Sequence, residues 1–159
     1  MTEDIDTLDR IILQVLQEDG RITNQDLAQR CNLSPSACLE RTRRLKAAGF
    51  IRRFSAHLDP KLLGCPLTMF IEVRLDRHEH QSLSDFSEAV AREPRIVECH
   101  MIAGSFDYLL KVRVADMEGY RRFLSDHLSR LPGLRESRSY AVLGEIKYST
   151  DVPVLDHLD

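Results

Sequence analysis

Between Arg30 and Arg53 seven basic side chains (Arg30, Arg41, Arg43, Arg44, Lys46, Arg52, Arg53) stand against one acid, Glu40. That is a local charge of +6 in a chain whose net charge is −3. Positive charge concentrated in this way is the footprint of a surface that binds phosphate. A second constellation lies at Gly104-Ser105-Phe106-Asp107. Glycine lets a ligand approach main-chain N–H groups, and aspartate supplies a fixed negative charge, so the pair suits the carboxylate and ammonium of an amino-acid zwitterion. Spacing alone leaves equal room for a plain tight turn, which uses Gly and Asp for its own reasons.

Other reactive residue types do not converge. His78-Glu79-His80 falls in a polar connection, where a solvated loop is the simpler reading than a metal site. Cys99 and His100 are neighbours on a strand, point to opposite faces and make a poor nucleophile–base pair. The cysteines, at 31, 38, 65 and 99, have no C-x-x-C spacing and fit reduced thiols. Neither a catalytic set, a metal site nor a cofactor motif is expected. The acidic N-terminus lacks the basic and apolar regions of a secretory signal, and no apolar run reaches the ~20 residues of a membrane helix. A cytoplasmic protein without membrane association is expected.

The basic cluster needs a helix to carry it. Ile5, Leu8, Ile12, Val15 and Leu16 share one face of a first helix that Asp19-Gly20 ends. Thr23 caps a second, with Leu27, Ala28 and Cys31 inward, and Asn32-Leu33 turns the chain. Ser34 as N-cap and Pro35 at the first helical position open a third helix that runs to about Ala48, before Gly49. Cys38, Thr42 and Leu45 face its core, leaving Ser36, Glu40, Arg43 and Arg44 outward to enter a major groove. Ser34, Ala37 and Arg41 belong to the same candidate DNA surface, and Arg52 and Arg53 either hold the adjacent backbone or are simply exposed. A solvated basic helix on an ordinary three-helix module is the competing reading, and the agreement of caps, turn, polarity and charge speaks against it.

Phe54 to Leu58 alternates weakly, as a connecting strand, before the turn residues Asp59-Pro60 and Leu63-Gly64. Beyond it, Thr68 to Leu75 alternates as a half-buried strand; Leu83, Phe86, Ala89 and Val90 mark a helix stopped at Pro94; Val97 to Ile102 and Tyr108 to Val114 form a hairpin. A helix with Tyr120, Phe123, Leu124, Leu128 and Leu131 inward runs to Pro132-Gly133, and Ser139 to Leu143 is a last strand. The order βαββαβ is ferredoxin-like. The fold class is therefore α+β: a helix-turn-helix (winged-helix-like) domain over 1–53, a linker strand over 54–64 and a ferredoxin-like (ACT/RAM-like) domain over 65–159. Both helices fall on one face of the sheet, and a second copy could cover the other.

In order and spacing, Leu8-Asp9, Asp19-Gly20-Arg21, Asp26-Leu27-Ala28, Leu33-Ser34-Pro35, Cys38-Leu39-Glu40-Arg41, Gly49-Phe50-Ile51, Gly104 to Lys111 and Leu131-Pro132-Gly133 resemble the leucine-responsive/AsnC (Lrp/AsnC) family of transcriptional regulators. The resemblance spans nearly the whole chain, is closest to the leucine-responsive branch, and has Ala37 where that branch often carries proline. It implies binding of double-stranded DNA by a homodimer that assembles to a tetramer or octamer, with an amino-acid effector beside the Gly104–Asp107 turn. Ile102, Met117, Ser139, Tyr140 and Val142 fall where the family's effector-responsive positions would lie. Two helix-turn-helix modules in a dimer would read a pseudo-palindrome. Siroheme decarboxylases are similar in both domains and supply the enzyme alternative, although a catalytic descendant has no need of a basic reading face. A protein using an amino-acid domain alone leaves the +6 cluster without a role.

Overall fold

The computed structural model describes residues 5–76 and 81–154, so the His78-Glu79-His80 run lies outside the described residues. The described chain divides into two units, 5–57 with 148–154, and 58–147.

In the first unit Asp6 caps helix α1 (Thr7–Glu18), accepting from the Asp9 N–H at 2.8 Å while its own N–H donates to Asp9 Oδ2 at 3.3 Å. This reciprocal box satisfies two N–H groups that the helix itself cannot pair. Thr23 caps α2 (Asn24–Arg30), and Ser34, followed by Pro35, caps α3 (Pro35–Ala47). Asn32 takes the left-handed conformation between α2 and α3, and Gly49 takes it after α3, as a helix stop commonly requires. Ile12, Val15, Leu27, Ala28, Cys31, Cys38 and Leu45 form the core, with Ile5, Leu16 and Leu33 packed at its edge.

The second unit is a four-stranded antiparallel sheet of β1 (Leu67–Leu75), β2 (Ile96–Met101), β3 (Tyr108–Val114) and β4 (Leu134–Ala141), in the spatial order β2-β3-β1-β4. Helices α4 (Gln81–Arg92) and α5 (Met117–Asp126) complete the βαββαβ order. Met69, Ile71, Val73 and Leu75 of β1 and Tyr108, Leu110, Val112 and Val114 of β3 are buried in one cluster with Phe86, Val90, Tyr120 and Phe123 from the helices. The opposite face is mixed, with Phe70 and Leu109 among charged residues. Lys111 donates to Glu98 at 2.9 Å, Arg113 to Thr68 at 3.2 Å, and Arg74 pairs with Glu136 at 3.3 Å.

Five details depart from the sequence reading. The last strand, expected over Ser139 to Leu143, starts five residues earlier because β4 pairs with β1 as far as Leu75. No strand forms over 54–64: a strand needs a paired neighbour, and here Phe54 instead lies over Gly20, where a Cβ would come within 3.0 Å of its ring, while Asp59 closes a turn on the Lys61 N–H. The domain boundary differs as well, because 148–154 joins the first unit rather than the second. The apolar stripe from Tyr120 to Leu131 is not one helix; α5 ends at Asp126, the next residue His127 has a φ of −125°, and a 3-10 turn carries Leu128 inward. Leu83 is exposed, so α4 buries Phe86 and Val90 without it.

Candidate DNA interface and effector site

Helix α3 presents the first candidate surface. Its inward residues, Cys38 and Leu45, are buried, and Thr42 returns its hydroxyl to the Cys38 carbonyl at 2.8 Å. At about 100° per residue, Ser36, Glu40 and Arg43 lie within one sector opposite that core, and all three are exposed. Ser34 Oγ accepts from the Ala37 N–H at 3.3 Å and sits 3.2 Å from Ser36 Oγ, which places two hydroxyls at the positive end of the helix. Asn24 of α2 donates to the Pro35 carbonyl at 2.8 Å, fastening α2 to the start of α3.

The basic residues named from sequence separate into two groups. Arg41 Nη1 donates to Asp6 at 2.6 Å and Asp9 at 2.9 Å, and Arg44 Nη2 donates to the other oxygen of Asp9. Arg30 pairs with Glu18 at 3.6 Å. Hydrogen bonds from Asp9 N–H and Arg41 hold the Asp6 carboxyl below its usual range, and Asp6 and then Asp9 push the Arg41 guanidinium up. Among the described residues Arg43, Lys46, Arg52 and Arg53 form no ion pair, so these four carry the charge available to an external anion. Arg44 was expected on the outward face; it lies on the flank of that face, and its long stem reaches back to α1. Asp9 and Asn24 were missed. Asp9 had a readable signal, since a carboxylate three residues before Ile12, inside an apolar stripe, requires a cationic partner.

The second candidate surface is the turn between β2 and β3. Asp107 knits it to β1: its N–H donates to the Val73 carbonyl at 2.9 Å, its carboxylate accepts from the Leu75 N–H at 2.9 Å, and its carbonyl accepts from the Ile102 N–H at 2.9 Å. The Ser105 carbonyl accepts from Arg74 Nε at 2.7 Å. Gly104 corrects one expectation. Its φ lies outside the left-handed region, and a Cβ there would meet Ile102 at an ordinary 3.5 Å, so neither backbone angle nor crowding within the chain requires glycine. Beside the turn a small depression is lined by Glu72, Arg74, Ser105, Phe106, Glu136 and Arg138. Sequence reasoning named only Ser105 and Phe106 of these.

Ile102 joins this turn through its N–H, whereas Met117, Ser139, Tyr140 and Val142 do not within one chain. The register pairs Val73 with Tyr108 beside the turn, whereas Tyr140 pairs with Phe70, and Val142 donates to the Thr68 carbonyl near the start of β1. Met117 opens α5 just after β3 ends at Val114, which pairs with Leu67, so it too belongs to the far end of the sheet. Ser139 and Tyr140 also diverge. Ser139 accepts the Tyr120 hydroxyl on the helix-bearing face at 2.5 Å, and Tyr140 lies on the opposite face beside Phe70, where burial and Glu72 raise its phenol pKa.

Cys99 and His100 face opposite sides, as parity requires, paired with Leu110 and Leu109. Among the described residues no group of three or more His, Cys, Asp or Glu is placed to hold a metal ion, and no helix is long and apolar enough to cross a membrane.

A capped, basic helix-turn-helix unit joined to a ferredoxin-like unit defines a DNA-binding regulator with an attached ligand-binding domain. Residues 5–52 match the winged helix-turn-helix DNA-binding family, and residues 68–152 match the Lrp/AsnC ligand binding domain. The chain is 47% identical over 147 residues to the leucine-responsive regulatory protein of Escherichia coli K12, covering 92% of this chain and 90% of that one. Among solved structures it is similar to a Neisseria meningitidis transcriptional regulator in complex with L-Met (38% identity, TM-score 0.91, covering 95% of this chain and 97% of that one). An AsnC family transcriptional regulator from Agrobacterium tumefaciens is 36% identical with a TM-score of 0.90, covering 94% and 97%. The chain belongs to the Lrp/AsnC family of transcriptional regulators.

Proposed function

We propose that this regulator reads double-stranded DNA with the exposed face of α3 and that an amino acid bound beside the Gly104–Asp107 turn changes its DNA occupancy or assembly. The observation that carries the DNA half is the face itself: Ser36, Glu40 and Arg43 lie opposite a buried core on a helix capped at its start, with Arg52 and Arg53 beyond its end. Arginine can grip guanine through two hydrogen bonds, and short hydroxyls near a helix N-terminus suit base edges or phosphate. Ser34 and Ala37 stand at the entry to that face. Arg41 and Arg44 are assigned to holding α3 in place.

The effector half rests on a fixed carboxylate next to a glycine that the chain's own fold does not require. An ionised carboxylate accepts several hydrogen bonds, so Asp107 can hold the Leu75 N–H and still receive a ligand ammonium. Ile102 to Asp107 sit at one end of β1, Ser139 and Tyr140 beside its middle and Met117 and Val142 toward its other end, so we read the complete site as shared between two chains. That requires a homodimer, which the apolar side chains exposed after β4 also favour: Leu143 is 100% and Ile146 99% exposed in the single chain. Assembly of dimers into a tetramer or octamer follows the same reading. The protein acts in the cytoplasm as a regulator and not as an enzyme, with an amino acid as effector and no cofactor.

Mechanistically this is linkage. An amino acid that binds two arrangements of the assembly unequally shifts their populations, and DNA affinity changes only as far as that difference allows. A thermal-shift panel of the common amino acids on wild type and Asp107→Asn tests the effector half. A ligand-dependent rise that disappears in the variant is expected; a rise of equal size in both would remove Asp107 from the site.

A further inference from the structure

Among the described residues Asp9 is the one carboxylate buried in the core of the first unit, 1% exposed at its side chain, and the DNA reading leaves it without a function. An isolated carboxylate in that position would be heavily penalised, so its partners must be fixed. Arg41 occupies one oxygen, and Arg44 occupies the other together with the Asp6 N–H. Asp6, half exposed, grips the same Arg41 nitrogen. Two arginines three residues apart on α3 thus converge on one carboxylate at the start of α1. Two such anchor points, about 4.5 Å apart along the helix axis, restrain both the rotation and the slide of α3 against α1.

We propose that Asp9 is a positioning residue for DNA reading: through Arg41 and Arg44 it sets the angle at which Ser36, Glu40 and Arg43 meet the base edges. The inference rests on α3 being the DNA-reading helix. Arg44 then acts on DNA through Asp9, and its loss differs from the loss of a phosphate contact. A phosphate contact supplies affinity to every sequence and steepens the salt dependence, whereas orientation of α3 matters only where base edges are read.

The test starts from duplexes selected out of a random pool by the full-length wild type. Wild type, Asp9→Asn, Asp6→Asn and Arg44→Ala are then titrated by fluorescence anisotropy against a selected and a shuffled duplex at several salt concentrations, with circular dichroism confirming that each variant is folded. Asp9→Asn is expected to cut the selected-to-shuffled affinity ratio by about tenfold or more, the scale of one misread base pair, while affinity for the shuffled duplex stays level or rises. Arg44→Ala is expected to reduce the ratio with an unchanged log–log salt slope, and Asp6→Asn to reduce it less. If Asp9→Asn does not fold, Arg44→Ala and Asp6→Asn decide by the same readouts. The inference is overturned if Arg44→Ala lowers the salt slope by about one per subunit and weakens both duplexes equally, as a phosphate contact does. It is also overturned if folded Asp9→Asn keeps the wild-type ratio. A wild type that enriches no sequence strikes instead at the DNA reading of α3.

Discussion

Helix α3 and the Gly104–Asp107 turn carry the same kind of signal, charge at positions where a ligand can approach, yet the fold finishes one and leaves the other open. At α3 a single chain supplies the cap, the buried core, the anchoring carboxylate and the exposed face proposed to read DNA. At the turn the chain supplies a rigid carboxylate, but Ser139 and Tyr140 pair with the middle of β1, and Met117 and Val142 lie toward the opposite end of the sheet. A site made by one helix can be complete within a subunit. On the proposed reading, a site assembled from strand ends is completed by a second chain.

Arg43→Ala should have the largest effect, because Arg43 is the one arginine central to the exposed face and outside any ion pair among the described residues. Selective DNA affinity should fall by about 10- to 100-fold, the range for a lost bidentate base contact, as read by anisotropy on a selected duplex. Retained affinity would break the claim that α3 is finished as a site.

Asp107 sharpens the other side of the comparison. Replacement by alanine removes the acceptor of the Leu75 N–H as well as the charge, so it should cost about 1–3 kcal/mol of stability by leaving that donor unmet. Asparagine keeps an acceptor oxygen, so Asp107→Asn should unfold close to wild type while losing the amino-acid response. Equal destabilisation by both changes would mean that the charge, not the hydrogen bond, holds the turn.

A smaller effect is expected where 148–154 returns to the first unit. There Gln17 donates to the Val152 carbonyl at 3.0 Å and accepts from the Val152 N–H at 2.7 Å. Gln17→Ala should cost roughly 1 kcal/mol in denaturant unfolding, the scale of an exposed hydrogen-bonded pair, and leave the amino-acid response intact.

The acid limb of stability provides the finest test. The Asp6 carboxyl lies below its usual pKa through the Asp9 N–H and Arg41, and that of Glu93 through Arg95. A carboxylate whose folded pKa is depressed contributes stability that is fully present above its unfolded pKa, near 4, and is lost as pH falls through the folded value. Unfolding midpoints should therefore fall below about pH 4, and Asp6→Asn should flatten that fall.

Much of this architecture was legible in the sequence because local rules act on one element at a time. Thr23 and Ser34 cap as expected, Pro35 opens α3, and alternate residues of β1 are buried. What escaped depends on partners distant in sequence. Arg44 lies near the outward sector of α3, but its side chain follows a carboxylate 35 residues away. Residues 54–58 alternate like a strand and find no neighbour to pair with. Ser139 and Tyr140 were grouped in one site, although the parity that separates Cys99 from His100 also separates them. The relation of the Gly104 turn to Met117 and Val142 depends on register, which periodicity within a strand does not specify.

The most direct test of the link between the two regions is the dissociation constant of the full-length protein for a selected duplex, measured with and without each amino acid that raises its thermal stability. At least one such amino acid should change it by roughly 5- to 150-fold, the usual range of coupling between sites, and the change should vanish in Asp107→Asn. An amino acid that binds wild type and leaves both DNA affinity and assembly unaltered would contradict the reading of this chain as a metabolite-responsive regulator.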